Sequence, residues 1–76
     1  MKLDYYRDTD SLYIKLKDIP SVESEEIAHD VVIDFDADGN VVGIDIDHAS
    51  KKVDLEKMEA VNLPKFKMSG SDKVLT

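Results

Sequence analysis

The chain has 76 residues, of which 42% are hydrophobic and 36% are charged, and its formal net charge is −7. This length and this balance are typical of one small globular domain and exclude an intrinsically disordered chain. The negative net charge disfavours binding to nucleic acids, because their phosphates carry the same sign. The chain contains no cysteine, which excludes disulfide bonds and thiol catalysis.

No targeting or membrane-spanning segment is expected from the sequence. Residues 1–8, MKLDYYRD, lack the apolar core of a signal peptide. No apolar run approaches the roughly 20 residues that a helix needs to span a bilayer. We therefore expect a cytoplasmic protein without a membrane or nucleic-acid partner.

The first two predicted strands form a hairpin. Residues 3–5 and 12–17 alternate apolar and polar side chains, which is the period of a half-buried strand. The polar residues 7–10 between them predict the turn. This pairing sets Leu3 opposite Ile14, so one face of the hairpin is apolar and the other carries polar side chains.

The next segment, residues 22–28, predicts an edge strand. Pro20 ends the preceding strand, because proline has no amide hydrogen for the ladder. The segment that follows is acidic, and charges on an edge discourage pairing with another chain.

A second hairpin is predicted over residues 31–36 and 41–47, because both stretches carry β-branched side chains at period two. Asp38-Gly39 between them predicts a two-residue type I′ turn, which needs positive φ at both central residues. A slip of the register by one residue would bury Asp45. The register that buries only apolar side chains pairs Phe35 with Val42, Ile33 with Ile44 and Val31 with Ile46.

The outer face of this hairpin is expected to be acidic. It carries Asp34, Asp36, Asp45 and Asp47. Gly43 falls opposite Asp34, where a missing side chain relieves crowding. Solvent and a neighbouring lysine account for such a face, and a bound cation or a basic protein surface is the alternative.

The stretch DFDADGNVVGID, residues 34–45, has the ligand spacing of a calcium loop. Its candidate metal ligands are Asp34, Asp36, Asp38 and Asp45. Such loops lie between helices that aim the ligands, whereas the flanks here are strands. The context favours an acidic hairpin turn, with binding of calcium or another metal as the alternative.

The region after the second hairpin predicts one short helix. Asp54 caps residues 55–61, which are amphipathic, and Pro64 ends them. This helix is expected to cover the apolar face of the sheet. We predict an α+β fold in residues 1–64, a small antiparallel β-meander of four to five strands with one short C-terminal helix. Residues 65–76 are expected to form a tail, with a short strand that pairs within the chain or across a dimer and then a disordered end.

Catalytic chemistry is not expected. The serines lack a nucleophile elbow, and the isolated glycines form no phosphate loop. Each histidine is next to an aspartate in the sequence, in His29-Asp30 and in Asp47-His48. Adjacent side chains on a strand point to opposite faces, so this adjacency does not predict a catalytic pair. A hydrolase using paired carboxylates would need an apolar pocket that an open sheet does not supply. We predict no catalytic residue, no cofactor and no enzymatic activity.

Three stretches carry a resemblance to a known family. They are YRDTDSLYI at residues 6–14, EEI at residues 25–27, and VIDFDADGNVVGIDI at residues 32–46 followed by Ala49-Ser50. Together they resemble the domain of unknown function 2283 family of small prokaryotic proteins. Asp45 stands where glutamate is usual, and His29-Asp30 stands where Pro-Gly is frequent, so a different connection between the third and fourth strands is expected.

The resemblance implies a compact β-meander with a C-terminal helix and no established activity, cofactor or catalytic residue. It also implies an antitoxin-like binder as one interpretation, which the acidic charge favours. We rank a non-enzymatic interaction module first, self-associating as a homodimer or binding a basic protein partner. A metal-binding protein ranks second and a hydrolase third.

Overall fold

A computed structural model describes residues 1–64 of the chain as one antiparallel sheet and one short helix. The alternating side-chain patterns of the sequence correspond to five strands, and the predicted α+β class is confirmed. The elements are β1 (Lys2–Tyr6), β2 (Ser11–Lys15), β3 (Glu23–Ala28), β4 (Val31–Phe35), β5 (Val41–Asp47) and α1 (Ala49–Lys52).

The strands lie in the order β1-β2-β5-β4-β3, and every neighbouring pair is antiparallel. Three of the four pairs consist of strands that follow one another in the chain and are joined by a short turn. The fourth pair, β2 with β5, joins strands that are not consecutive. The chain leaves β2, crosses to the far edge as β3 and returns through β4 to place β5 beside β2. This arrangement makes β5 the central strand and leaves β1 and β3 as the two edges.

The predicted registers are largely confirmed. Leu3 faces Ile14, Ile33 faces Ile44 and Val31 faces Ile46, so the alternation places one set of apolar side chains on one face. Phe35 faces Val41 and not Val42, because a bulge between Asp34 and Phe35 shifts the pairing by one residue.

The predicted type I′ turn is wrong. Gly39 adopts a positive φ of 83°, but Asp38 does not. The loop is closed by the amide of Asp36, which donates to the carbonyl of Asn40 at 2.9 Å, and by the amide of Gly39, which donates to the carbonyl of Asp36 at 3.1 Å. A turn with one left-handed residue accompanies a bulge in the adjoining strand, which is where the register shifts.

The predicted helix over residues 55–61 is also wrong. The helix lies earlier, at Ala49–Lys52, and only a single turn follows, in which the Lys57 amide donates to the Asp54 carbonyl at 3.2 Å. A seven-residue helix is marginal unless packing stabilises it. Met58 and Val61 remain 51% and 66% exposed, so the apolar stripe of that segment finds little surface to bury.

The hydrophobic core is small. Leu12, Val42 and Ala49 are the buried hydrophobic residues in the part of the chain that the structure describes. The irregular segment after α1 lies against β1 and β2, where Val53, Leu55 and Met58 line a groove with Leu3, Tyr5 and Leu12. The part of the apolar face that a helix was expected to cover is therefore covered, in part, by this irregular segment.

Two further expectations concern the C-terminal tail and membrane-spanning segments. Residues 65–76, for which a short strand and a disordered end are expected, lie outside the described residues. None of the helical structure in residues 1–64 has the length and hydrophobicity of a bilayer-spanning helix.

Candidate functional site

The polar face of the sheet is organised around Tyr13. This residue lies on β2, and its hydroxyl donates a hydrogen bond of 2.8 Å to Asp34 on β4. The ring must pass over β5 to do so, and it passes over Gly43, which pairs with Asp34 on one side and Lys15 on the other. A Cβ at Gly43 would overlap the Tyr13 hydroxyl and lie 2.6 Å from ring carbon Cζ. The sequence predicts that Gly43 relieves crowding opposite Asp34. In the structure, the space left by its missing side chain is occupied by the Tyr13 ring.

Hydroxyl groups also reach the neighbouring carboxylates of this face. Ser24 on the edge strand β3 donates to Asp34 at 2.6 Å, and Ser11 donates to Asp47 at 3.0 Å. Asp34 thus accepts two side-chain hydrogen bonds, one from each direction across the sheet. We call the set Tyr13, Ser24, Asp34, Asp45 and Asp47 the acidic face.

Two groups of the acidic face have displaced pKa values. The hydrogen bond to Asp34 raises the pKa of Tyr13 to about 12, with burial and the charges of Asp34 and Asp45 adding to the effect. Burial raises the pKa of Asp45, and the charges of Asp47 and Asp34 act in the same direction. At neutral pH Tyr13 is therefore a hydrogen-bond donor and not a nucleophile or base.

The predicted metal ligands do not converge. Asp34 and Asp45 share the acidic face, whereas Asp38 lies exposed in the turn. Asp36 is only 8% exposed, and its Oδ1 accepts the amides of Asp38 and Asn40, each at 2.9 Å. The Asn40 amide is the main reason that the pKa of Asp36 is lowered.

Asp36 therefore holds the turn closed. Within residues 1–64, no three side chains from His, Cys, Asp or Glu come together as a metal-ligand group. Metal binding by the hairpin stays a prediction that only a titration with the ion can test.

The structure brings together a second polar cluster that sequence reasoning missed. Asp10, in the turn after β1, accepts hydrogen bonds from the Tyr5 hydroxyl at 2.7 Å, the Ser50 hydroxyl at 2.7 Å and the Ser50 amide at 3.1 Å. The Ala49 amide donates to the Asp10 carbonyl at 2.9 Å. The Ser50 hydroxyl is the main reason that the pKa of Asp10 is lowered. These contacts attach α1 to the first hairpin.

Asp30 plays the corresponding part in the turn between β3 and β4. Its carboxylate lies 2.8 Å from Nδ1 of His48 and 3.3 Å from Nε2 of His29, and its carbonyl accepts the Asp47 amide at 2.8 Å. The hydrogen bond with His48 is the main cause of the lowered pKa of Asp30.

Neither histidine lies in an enclosed site, because the side chains of His29 and His48 are 87% and 61% exposed. Asp10, Asp30 and His48 all have positive φ, between 53° and 65°. Aspartate tolerates this conformation better than most residues, and that tolerance is the one sequence signal for both turns. Both clusters are therefore best explained as links between turns and α1.

Comparison with known proteins gives a family and one uncharacterised relative. The family described as "Protein of unknown function (DUF2283)" matches residues 2–50. An uncharacterized protein of Methanocaldococcus jannaschii is 37% identical over 71 residues, which cover 92% of this chain. The match spans 60% of that relative's length. No solved structure matches the chain.

Proposed function

The chain belongs to the DUF2283 family of proteins of unknown function, and we propose that it is a non-enzymatic protein-interaction module that self-associates. The observation that carries this proposal is an exposed apolar surface beside β1. Leu3, Tyr5 and Met58 are 41%, 44% and 51% exposed, and they border the same groove. We call the residues Leu3, Tyr5, Val53 and Met58 the apolar patch.

A second copy of the chain suits the apolar patch for two reasons. Domains of this size bury only about 60% of the surface of the unfolded chain, so association adds core that the monomer lacks. The edge strand β1 also carries balanced charge, since Lys2 and Asp4 lie 3.7 Å apart. An identical strand that approaches this edge therefore meets no excess of like charge.

A non-enzymatic role is supported by the same geometry. The groove at the apolar patch is lined mainly by hydrophobic side chains, and its charged lining residues are Asp54 and Lys57. Catalytic sites combine such a groove with convergent polar groups. The apolar character of this lining supports a role in packing over a role in proton transfer.

A basic protein partner is the finer part of the proposal. Its support is the acidic face, where Asp34, Asp45 and Asp47 lie on adjacent strands, together with a net charge of −7. Opposite charge increases the rate of encounter and selects partners more than it adds affinity. An antitoxin-like role toward such a partner would use this face and leave the apolar patch for self-association.

Self-association is tested by light scattering coupled to size-exclusion chromatography. We expect the natural chain to be a dimer, and Leu3→Arg to be a monomer because it places a charge in the apolar patch. Tyr6→Arg is the matched control, since Tyr6 lies on the same strand, is 53% exposed and faces the opposite side. Far-UV circular dichroism checks that both variants fold.

An apolar dye distinguishes an open patch from one that the chain itself covers. Under dilution, where a dimer dissociates, we expect the dye to bind the natural chain and Tyr6→Arg, and to bind Leu3→Arg less. A monomer that binds no dye at any concentration would contradict the proposal, and so would equal loss of the dimer in both variants.

A further inference from the structure

The edge strand β1 carries two opposite charges on one face of the sheet. Lys2 and Asp4 are two residues apart in the strand, so both side chains lie on the polar face, with the ammonium and the carboxylate 3.7 Å apart. Leu3 between them lies on the apolar face. One side of β1 has no neighbouring strand in the described part of the chain. That open side offers backbone donors and acceptors to an incoming strand.

Lys2 also lies directly opposite a residue of the same charge, Lys15 on β2. Like charges in this position destabilise a sheet. The Lys15 ammonium has a carboxylate at 2.9 Å, that of Asp18, whereas the Lys2 ammonium approaches Asp4 only to 3.7 Å. A carboxylate on the open side of β1 would therefore stabilise Lys2.

We propose that a second copy of the chain adds its own β1 to this edge, antiparallel and about a two-fold axis that passes through Leu3. This pairing rests on the self-association proposed above and specifies how the two copies meet. It sets Lys2 of each copy opposite Asp4 of the other, so two pairs of opposite charge form on the polar face. On the apolar face, Leu3 meets its own copy, and Tyr5 meets Met1, whose exposed fractions are 44% and 84%.

The charges select this register among those that β1 can form with itself. An axis through Lys2 or through Asp4 would set identical charges opposite each other. An axis through Tyr5 would leave Lys2 beyond the paired strands. An axis that passes between two residues would bring polar-face side chains against apolar-face side chains. The axis through Leu3 avoids all three conflicts.

The opposite edge of the sheet does not allow the same pairing. Strand β3 carries Glu23, Glu25 and Glu26 and no basic residue. Two copies that met along β3 would bring only like charges together. Pairing through β1 uses the same surface on both copies, and such an interface closes as a dimer instead of growing into a fibre.

Charge reversal in β1 tests the register. Lys2→Glu and Asp4→Lys should each weaken the dimer about tenfold or more, because each sets like charges opposite each other twice. An equimolar mixture of the two variants should form a heterodimer about as stable as the natural dimer, since opposite charges then meet in both pairs. The double variant Lys2→Glu/Asp4→Lys should dimerise by itself for the same reason. Sedimentation velocity over a range of protein concentrations measures each dissociation constant.

Lys51→Glu and Asp8→Lys are the matched controls, with the same changes of charge at exposed residues outside β1. They should leave the dissociation constant unchanged. Equal weakening by the controls would overturn the proposed pairing, and so would a mixture of the β1 variants that stays monomeric. A natural dimer that is insensitive to charge reversal would overturn this pairing alone, whereas a natural chain that is monomeric throughout would overturn self-association itself.

A disulfide across the two-fold axis gives a second, direct measurement, because the natural chain has no cysteine. Opposite residues of an antiparallel pair have Cα atoms about 4.5–5.5 Å apart, which a disulfide can span. Leu3→Cys should therefore form a linked dimer under mild oxidation, as read by non-reducing electrophoresis.

Tyr5→Cys is the matched control, because Tyr5 lies on the same face and is 44% exposed, against 41% for Leu3. It should not form a linked dimer, since Tyr5 lies opposite Met1 in this pairing and about 14 Å from its own copy. Equal linking of both variants would overturn the proposed register. So would the absence of linking in Leu3→Cys when light scattering shows the variant to be a dimer.

Discussion

The two faces of the sheet are built in different ways. On the acidic face, hydrogen bonds join side chains of β2, β4 and β3, with Tyr13 reaching across β5 to Asp34 and Ser24 reaching the same carboxylate from the edge. On the apolar face, only Leu12 and Val42 among the strand residues are buried hydrophobic side chains. Within residues 1–64, the polar side chains of the acidic face are thus joined to one another, whereas most apolar side chains of the other face stay partly exposed.

This difference shows which substitutions should affect folding and which should affect association. Specific contacts on the acidic face have to be satisfied within one chain. Exposed apolar side chains such as Leu3 gain from burial only when another surface arrives.

Gly43→Val should cost about 1–3 kcal/mol of stability, because the new side chain occupies the space of the Tyr13 ring. Urea unfolding measures the loss. The same substitution in a Tyr13→Ala background should be much less costly, since the space is then free. An equal loss in both backgrounds would show that the close approach of Tyr13 is not the cause.

Asp36→Ala should lower the melting temperature more than Asp38→Ala does. The first substitution leaves the amides of Asp38 and Asn40 without their acceptor, whereas Asp38 is exposed. The folded-state pKa of Asp36 is lowered. Its contribution is therefore complete above the unfolded value of about 3.9 and is lost as the pH falls through the folded value. A smaller loss of stability on acidification in Asp36→Ala than in the natural chain would agree with this sign.

Tyr13 should ionise later than the other tyrosines in an alkaline titration followed by tyrosinate absorbance. Its folded pKa is about 12 and the unfolded value is about 10. The stability from its hydrogen bond is therefore complete below pH of about 10 and is lost as the pH rises toward about 12. Tyr13→Phe should remove the late step, and Asp34→Asn should move it to lower pH. A late step that survives Tyr13→Phe would assign it to another tyrosine.

Asp45→Asn should stabilise the chain by up to about 1 kcal/mol, because it removes the cost of burying a charge and also the repulsion from Asp47 and Asp34. The pKa of Asp45 is raised, so its charge destabilises the fold above that pKa and the cost disappears as the pH falls. Asp8→Asn, the same change in an exposed turn, is the control. A destabilising effect of Asp45→Asn would mean that the carboxylate makes a favourable contact.

Calcium should have the smallest effect. At matched ionic strength, we expect calcium chloride and sodium chloride to give the same melting temperature, because Asp36 already accepts the amides of its own turn. A rise specific to calcium would favour the metal site formed by Asp34, Asp36, Asp38 and Asp45.

Much of the sheet could be predicted from the period of its side chains. The pairing of Ile33 with Ile44 follows because a slip by one residue would bury Asp45. The turn could not be predicted in the same way, since the side chain of Asp36 competes for the amides that define its geometry. The predicted helix was wrong because it rested on the apolar stripe of residues 55–61. Such a stripe indicates a tendency to form a helix, but a short helix is stable only where its apolar face packs against another surface.

The α+β class, most of the register and the division of side chains between two faces follow from the order of the amino acids, because side chains alternate with a period of two along any strand. Which side chains come into contact depends on the tertiary structure. Asp10 and Ser50 are 40 residues apart in the chain and 2.7 Å apart in space. Tyr13 reaches Asp34 because β5 lies between their strands with Gly43 at the crossing point. The order of the strands depends on how the connections cross the sheet, and the alternation of side chains within each strand contains no information about those connections.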